Sequence, residues 1–424
     1  MSRKKSDPME PHGQSPWYLH YIPSYACLRV AASHKASYGG QVLRQRQAKA
    51  SEGYPPSAKS AEAATLQLKN NTGPSTHSST GKAHGLLRRR IKILEFVLLT
   101  SFLLVLPASG AEKNIIIKIA TLAPQGSPWI KTIHTLNAEV MKKTENRVQF
   151  KIYPDGVLGD EMDMLRKMKI GQIQGAVLTS GGLSTLFKEI EVLQIPFLFQ
   201  KYEEVDAILK KMDSFFRKGF EDNGYILLGW SEAGFVYLMS TLPVASVADL
   251  KKAKVWTWEE SPMAKAIFDE AGIKGIPLTV PDVLVGLQTG LVNVVYTPPT
   301  GAILLQWFTK IKYMSDVPLG YLAGAVIVKK DIFKQIPSSF QNFLLESFQN
   351  HLDQLKAVTR NENREAIKVM AKHGVKIITP SSSQVEEFKT LSNKAMARFT
   401  GQTFSQKVYD EVASLLENYR AGGK

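Results

Sequence analysis

Residues 114–143 read NIIIKIATLAPQGSPWIKTIHTLNAEVMKK, and this stretch decides the fold. Asn114 to Thr121 is a β-branched run that predicts a strand. Ser127-Pro128 then supplies a helix N-cap followed by proline at the first helical position. Ile130, Ile133, Leu136, Val140 and Met141 recur at helical spacing. A strand feeding a helix through a short turn is the unit of parallel α/β sheets.

Working outward, the same unit recurs. Val148 to Tyr153 predicts a second strand, Asp160 to Ile170 a helix stopped by Gly171, and Gly175 to Thr179 a third strand. Further on, Tyr225 to Trp230, Phe235 to Met239 and Lys254 to Trp258 read as three more strands. Ser261-Pro262 caps a helix ending at Gly272, Gly275 to Leu278 is extended, Pro281 to Thr289 is a helix with Gly290 at C′, and Val292 to Tyr296 is a strand. The alternation predicts an α/β protein with ligand crevices at the strand ends.

From Ser338 to His373, 36 residues run without Gly or Pro, roughly 54 Å if helical at 1.5 Å per residue. Apolar spacing holds at Phe340, Phe343, Leu344, Phe348, Leu352 and Leu355, lapses over Thr359 to Glu365, and resumes at Ala366. Two readings stay open: one helix, buried at both ends and wet in the middle, that bridges two lobes, or two helices broken near Asn361.

The chain has 424 residues and a formal charge of +15, which invites a nucleic-acid or membrane partner. Location removes that invitation. Residues 1–111 hold 15 of the 53 Lys and Arg and 5 of the 38 Asp and Glu, a net of +10, so 38 minus 33, or +5, remains for the rest. Arg88, Arg89, Arg90 and Lys92 precede the apolar run Ile93 to Leu106 and the small residues Pro107 to Ala111. That order is a secretory signal over residues 86–111, with cleavage expected after Ala111 and a periplasmic product. The alternatives are a membrane anchor, for which the run is short, and a basic nucleic-acid patch. Residues 1–85 lack an apolar period and read as a disordered prefix. With no Met between Met9 and Met141, translation is expected to start at a non-AUG codon near Leu86 or Leu87. The single cysteine, Cys27, lies in this prefix, so no disulfide or thiolate site is available beyond it.

Signatures of catalysis are missing: there is no G-x-G-x-x-G, phosphate loop, H-E-x-x-H or G-x-S-x-G. His134, His351 and His373 are scattered over predicted helices and read as solvated helix-face residues. Asp160, Glu161 and Asp163 cluster, yet acids in a first helical turn complement the helix dipole, and neither metal nor cofactor is implied. Tryptophan is placed unusually. Trp129, Trp230, Trp256, Trp258 and Trp307 all fall near strand ends, in short strands or at helix starts, and together they suggest an aromatic-lined pocket.

From about Lys118 to Val328 the chain resembles the extracytoplasmic solute-binding proteins of tripartite ATP-independent periplasmic (TRAP) transporters, of the dicarboxylate-binding type. The matching pieces are Ile119-Ala120-Thr121, Gly126-Ser127-Pro128-Trp129, Tyr153-Pro154 with Leu158-Gly159, and Ile195-Pro196-Phe197-Leu198-Phe199. Gly234-Phe235, Asp249-Leu250-Lys251, Leu287-Gln288-Thr289-Gly290 and Pro298 follow in the family's order. The resemblance implies two α/β lobes joined by crossing strands and a long helix. Lobe 1 would span about 112–236 and 325–365, and lobe 2 about 237–324 and 366–424. A small organic solute would bind between them and pass to the large and small permease subunits, with no nucleic-acid partner and no catalysis. A periplasmic ligand sensor for a membrane receptor, or an exported enzyme on the same fold, are the alternatives.

One departure from the family matters. Trp256 stands where an arginine that pairs with a substrate carboxylate is usual, Val236 stands where a second arginine often follows, and Asn293 replaces a common aspartate. The expectation of a C4-dicarboxylate or sialic acid ligand weakens accordingly. An apolar, aromatic or cationic portion, or an acid held by backbone donors, is expected instead. The candidate binding residues are Thr121, Trp129, Ser180, Tyr237, Trp256, Trp258, Tyr296 and Pro298, with Asp282 as a further one.

Overall fold

The computed structural model describes residues 114–258 and 261–422. The prefix, the leader and its cleavage point after Ala111 lie outside the described residues. The first lobe opens with β1 (Ile115–Ala120), α1 (Pro128–Lys143), β2 (Val148–Tyr153), α2 (Glu161–Lys169), β3 (Gly175–Thr179) and α3 (Ser180–Leu186). A 3-10 segment at Lys188–Gln194 and the long α4 (Tyr202–Asp222) lead into β4 (Tyr225–Ser240). The second lobe follows with α5 (Val247–Lys251), β5 (Trp256–Trp258), α6 (Pro262–Ala271), β6 (Ile276–Leu278), α7 (Val283–Thr289), β7 (Val294–Thr297) and α8 (Pro299–Leu304). The chain returns through β8 (Tyr313–Lys329), α9 (Lys330–Phe333), α10 (Ser338–Lys372), β9 (Lys376–Ile378), α11 (Ser382–Phe399) and α12 (Gln406–Arg420). Among the described residues no helix is long and apolar enough to cross a membrane.

The first unit forms as its sequence dictates. Ser127 Oγ accepts from the Ile130 N–H at 3.4 Å, Pro128 occupies the first turn, and Ile130, Ile133, Leu136 and Val140 are buried. Gly272 and Gly290 end α6 and α7 in the left-handed region, at φ 65° and 70°. The stretch from Val280 starts as a 3-10 turn, so only Val283–Thr289 is α-helical rather than the whole of Pro281 to Thr289.

Among the described residues, a seven-stranded sheet runs β2-β1-β3-β8-β4-β7, with β9 beside β8, and β5 and β6 form a separate parallel pair. β1 is parallel to β2 and β3, whereas β8 pairs antiparallel with β3 and β4, so the sheet is mixed. β4 and β8, of 16 and 17 residues, pair from Tyr225 with Lys329 to Ser240 with Tyr313. Both strands therefore run through both lobes and tie them together. Their register shifts between Leu227 and Gly229, Glu232 and Gly234, and again around Tyr237, and such bulges bend a strand and raise its twist. The two strands expected at Tyr225–Trp230 and Phe235–Met239 are this one strand. Ser231-Glu232-Ala233-Gly234 looks like a break in sequence but is a bulge at the crossing.

The long helix is single, Ser338–Lys372, and its middle is not wet. The Glu232 side chain is fully buried and meets Arg360 Nε at 2.6 Å; it also accepts from Arg360 Nη2 at 2.9 Å and from Tyr321 OH at 2.8 Å. Arg360 continues to Asp206 on α4 with two bonds of 2.7 Å and lies over the Tyr202 ring, 4.5 Å from its centroid. Asn363 donates to Ala233 O and accepts from the Thr300 N–H, each at 2.9 Å. A side chain at Gly234 would stand 2.5 Å from Asn363 Nδ2, and φ there is 111°, so the crossing requires glycine. The polar run Thr359 to Glu365 is the seam that holds the helix to the crossing strand.

The C-terminus corrects one boundary. α12 packs Val408, Val412 and Leu416 into the same cluster as Phe216 and Phe220 of α4, and Arg420 Nε bonds Glu204 Oε1 at 2.8 Å. Residues 366–424 therefore do not all attach to lobe 2, because the apolar face of α12 finds its partner on α4.

Arg360→Met leaves the buried Glu232 carboxylate uncompensated and is expected to cost about 3–5 kcal/mol in denaturant unfolding. Arg398→Ala removes a pair whose arginine is 77% exposed and is expected to cost about 0–1 kcal/mol.

Candidate functional site

A cavity of about 380 Å³ lies where the lobes meet. From the first lobe, Thr121 and Trp129 of the β1–α1 turn, Thr179 at the end of β3, and Pro196-Phe197 form its wall. Glu232, Ala233 and Val236 line it from the crossing. Trp256, Trp258, Tyr296, Pro298, Thr300 and Trp307 line it from the second lobe.

Six of the nine expected residues reach the wall: Thr121, Trp129, Trp256, Trp258, Tyr296 and Pro298. The other three do not. Ser180 is fully buried and donates its hydroxyl to Ala323 O at 3.2 Å, behind the end of β3. Tyr237, at the irregularity in β4, is not among the wall residues and packs against the larger hydrophobic cluster instead. Asp282 accepts from Thr279 Oγ1 at 2.6 Å and stays exposed, closing its own turn.

The second lobe presents an aromatic platform. Trp256 stacks on Tyr296, with centroids 4.9 Å apart and planes at 29°, and meets Trp307 edge-on at 5.3 Å. Its indole N–H is taken by Leu278 O at 3.0 Å. The Tyr296 hydroxyl oxygen accepts from the Trp258 backbone N–H at 3.1 Å, and burial pushes that phenol well above its ordinary pKa.

Trp258 crosses the cleft. Its indole N–H donates to Asp160 Oδ2 at 3.2 Å, and the Val280 N–H donates to the same oxygen at 2.9 Å. Its six-membered ring lies over Gly181, where a Cβ would stand 2.5 Å from Cζ3. Asp160 thus serves twice. It caps α2 in a reciprocal box with Asp163, and it accepts the second lobe's only two bonds to that carboxylate among the described residues.

The dipole reading of the acidic cluster holds for Asp160 and Asp163 but not for Glu161. Glu161 turns inward under α3, accepting from Thr179 N–H and Gly182 N–H at 2.8 Å each and meeting Thr179 Oγ1 at 3.1 Å. Burial pushes its pKa up to about 8; the Thr179 and Gly182 N–H groups oppose this, and the neighbouring Asp160 carboxylate adds to it. Glu362, also on the wall, is raised to about 7 by burial, with Lys131 opposing.

Among the described residues, the wall carries the carboxyls of Glu161, Glu232 and Glu362 and no Lys, Arg or His. Both positions where arginine is usual, 256 and 236, face the cavity as tryptophan and valine. Asn293 lies off the wall and accepts from the Lys254 N–H at 2.8 Å. Sequence reasoning missed Phe197, a wall residue with φ 59°. A bulky side chain in the left-handed region is an outlier associated with functional sites, but sequence alone carries no signal for it.

Residues 119–402 match the family described as bacterial extracellular solute-binding protein, family 7. The 2,3-diketo-L-gulonate-binding periplasmic protein of Escherichia coli K12 is 26% identical over 245 residues, covering 57% of this chain and 74% of that protein. The C4-dicarboxylate-binding periplasmic protein of Rhodobacter capsulatus is 22% identical over 277 residues, covering 65% and 83%. The fold is shared with a TRAP periplasmic solute binding protein from Desulfovibrio salexigens, solved with bound orotic acid, at TM-score 0.67 and 20% identity over 73% of this chain and all of that one. Two α/β lobes tied by crossing strands, a cavity between them and this family match over most of the chain lead to one conclusion: the protein belongs to the family-7 bacterial extracellular solute-binding proteins.

Proposed function

We propose that the protein is the solute-capturing subunit of a TRAP transporter, exported by the leader at residues 86–111. It closes its lobes on a small organic solute and presents it to the membrane permease subunits. The observation that carries this reading is the cavity at the crossing of β4 and β8, walled by side chains of both lobes. A solute that touches both walls binds the closed form better than the open one, and that difference in affinity drives closure. The bonds from Trp258 and Val280 to Asp160 then form the seam of the closed state. The relatives named for 2,3-diketo-L-gulonate and C4-dicarboxylates point to organic acids as the general class. The wall residues Thr121, Trp129, Trp256, Trp258, Tyr296 and Pro298 are the contacts in this reading, with stoichiometric binding rather than turnover as the outcome.

Closure brings the Trp258 ring onto Gly181, so Gly181→Ala holds the lobes apart. Native mass spectrometry of the exported protein is expected to find one retained small molecule per chain in the wild type. Occupancy in Gly181→Ala should fall at least tenfold, about 1.4 kcal/mol. Equal retention by the variant, or a wild type that retains nothing, contradicts the reading.

Glu161 makes stability depend on pH. Its folded-state pKa, about 8, lies above the ordinary carboxyl value of 4.5, so the folded state keeps a proton that the unfolded state has lost. The contribution is full below pH 4.5 and is lost as pH rises towards 8. From this group the wild type is expected to lose roughly 2–5 kcal/mol over that window. Glu161→Gln, whatever its constant offset, should flatten that part of the slope in urea melts taken from pH 4.5 to 8.5.

A further inference from the structure

The wall sets a problem for an acid. A carboxylate taken out of water needs a cation or several hydrogen bonds, and among the described residues the wall carries no Lys, Arg or His. The guanidinium of Arg360 is engaged by Glu232 and Asp206. What the wall does carry is carboxyls, those of Glu161, Glu232 and Glu362. When two carboxyls share a site, mutual repulsion makes one of them take up a proton. The protonated partner is then a donor, and its O–H···O⁻ bond to the other is of the short, charge-assisted kind.

The three carboxyls differ in what an entering solute can reach. Glu232 has no side-chain exposure and is bonded by Arg360 and Tyr321. Glu161 is 1% exposed and is enclosed by donors from Thr179 and Gly182. Glu362 lines the cavity from α10 and keeps accessible surface. Against α10 pack α1, β4 and α8. Burial raises the Glu362 pKa to about 7, and Lys131 of α1 opposes the rise; the exposed His134 stands one turn further along α1. β4 brings Glu232, already neutralised, and α8 (Pro299–Leu304) has no titratable side chain. On α10 itself Arg360 is engaged as above, Arg364 bonds Asn361 Oδ1 at 3.2 Å, and Glu365 pairs with Lys368 at 2.7 Å.

We propose that Glu362 is the acid-recognition residue of the cleft: as a carboxylic acid it donates its O–H to the solute's carboxylate, so that each organic acid is captured together with one proton. The proposal rests on the solute-binding reading and names the group that holds the acid. The shared proton takes the part that a guanidinium would otherwise play. Below its pKa of about 7 the free Glu362 already carries that proton, whereas above it binding must draw one from solvent. Affinity for the acid therefore levels off towards pH 6 and falls as pH rises, by up to about tenfold per unit.

The test is titration calorimetry of the purified protein with orotate, D-gluconate and succinate between pH 6 and 8.5. At least one of these acids is expected to bind at one per chain, and at least tenfold more weakly at pH 8.5 than at pH 6. At pH 8, titrations in HEPES and in Tris, which differ in ionisation enthalpy, should show close to one proton taken up with each acid bound. Glu362→Gln, whose amide donates without titrating, should vary less than twofold over the same range. Glu362→Leu should bind at least tenfold more weakly than the wild type at pH 6, and thermal melting establishes that both variants fold. The proton count is read on the wild type, so it decides even where a substitution does not fold. An acid bound with no proton uptake, or a slope that persists in Glu362→Gln, overturns the proposal and leaves the solute-binding reading standing. If none of the acids binds, the proposal falls; a solute that co-purifies with the protein then keeps the wider reading, and the lack of one sinks both.

Discussion

The structure depends on the buried pair between Glu232 and Arg360. Glu232 sits in a bulge at the point where β4 passes from one lobe to the other, with no side-chain exposure. A carboxylate in that position is tolerable only when paired and hydrogen-bonded. Arg360 supplies the charge and Tyr321 OH a further bond. Because Arg360 stands in the middle of the long helix α10, satisfying one carboxylate fixes the helix to the crossing. Asp206 draws α4 into the same network, so a strand, a helix and a second helix share one anchor.

That anchor also shapes the chemistry of the site. Glu232 reaches the cavity wall but is neutralised from behind, and the arginine that neutralises it is spent in doing so. The wall is left with hydroxyls, carboxyls and aromatic faces, and with Trp256 and Val236 where cations would meet an acid. Across the cleft, Asp160 receives the Trp258 indole and the Val280 N–H. At the cleft mouth the lobes thus touch through the Asp160 carboxylate and the Trp258 ring laid over Gly181. Any side chain at Gly181 would push against that ring.

Much of this was legible in the sequence. The first strand–helix unit, its Ser127-Pro128 cap and the left-handed glycines at 272 and 290 followed from local rules. The spanning helix and the crossing strands followed from an unbroken 36-residue run and from the family resemblance. Six wall residues were found because strand ends at the crevice carry the side chains that face it. The rest was hidden for physical reasons. Ser231-Glu232-Ala233-Gly234 and Thr359 to Glu365 each look like breaks when read alone, because the charges of one are cancelled by the other 128 residues away. Glu161 looked like a helix-dipole acid because its burial under α3 depends on tertiary packing. Ser180 opens α3 and turns its hydroxyl to Ala323 O, and Tyr237 sits at a register irregularity of β4, neither of which local sequence reveals.

The central claim is that a small organic solute is held between the lobes, against the wall that both of them supply. The most direct test is a crystal structure of the protein with the solute that co-purifies with it. Density is expected between the Trp256–Tyr296 platform and the Thr121–Trp129 turn, with no lysine or arginine nitrogen within hydrogen-bond distance of it. A solute whose carboxylate is paired with a cationic side chain, or one bound outside this cleft, would contradict it.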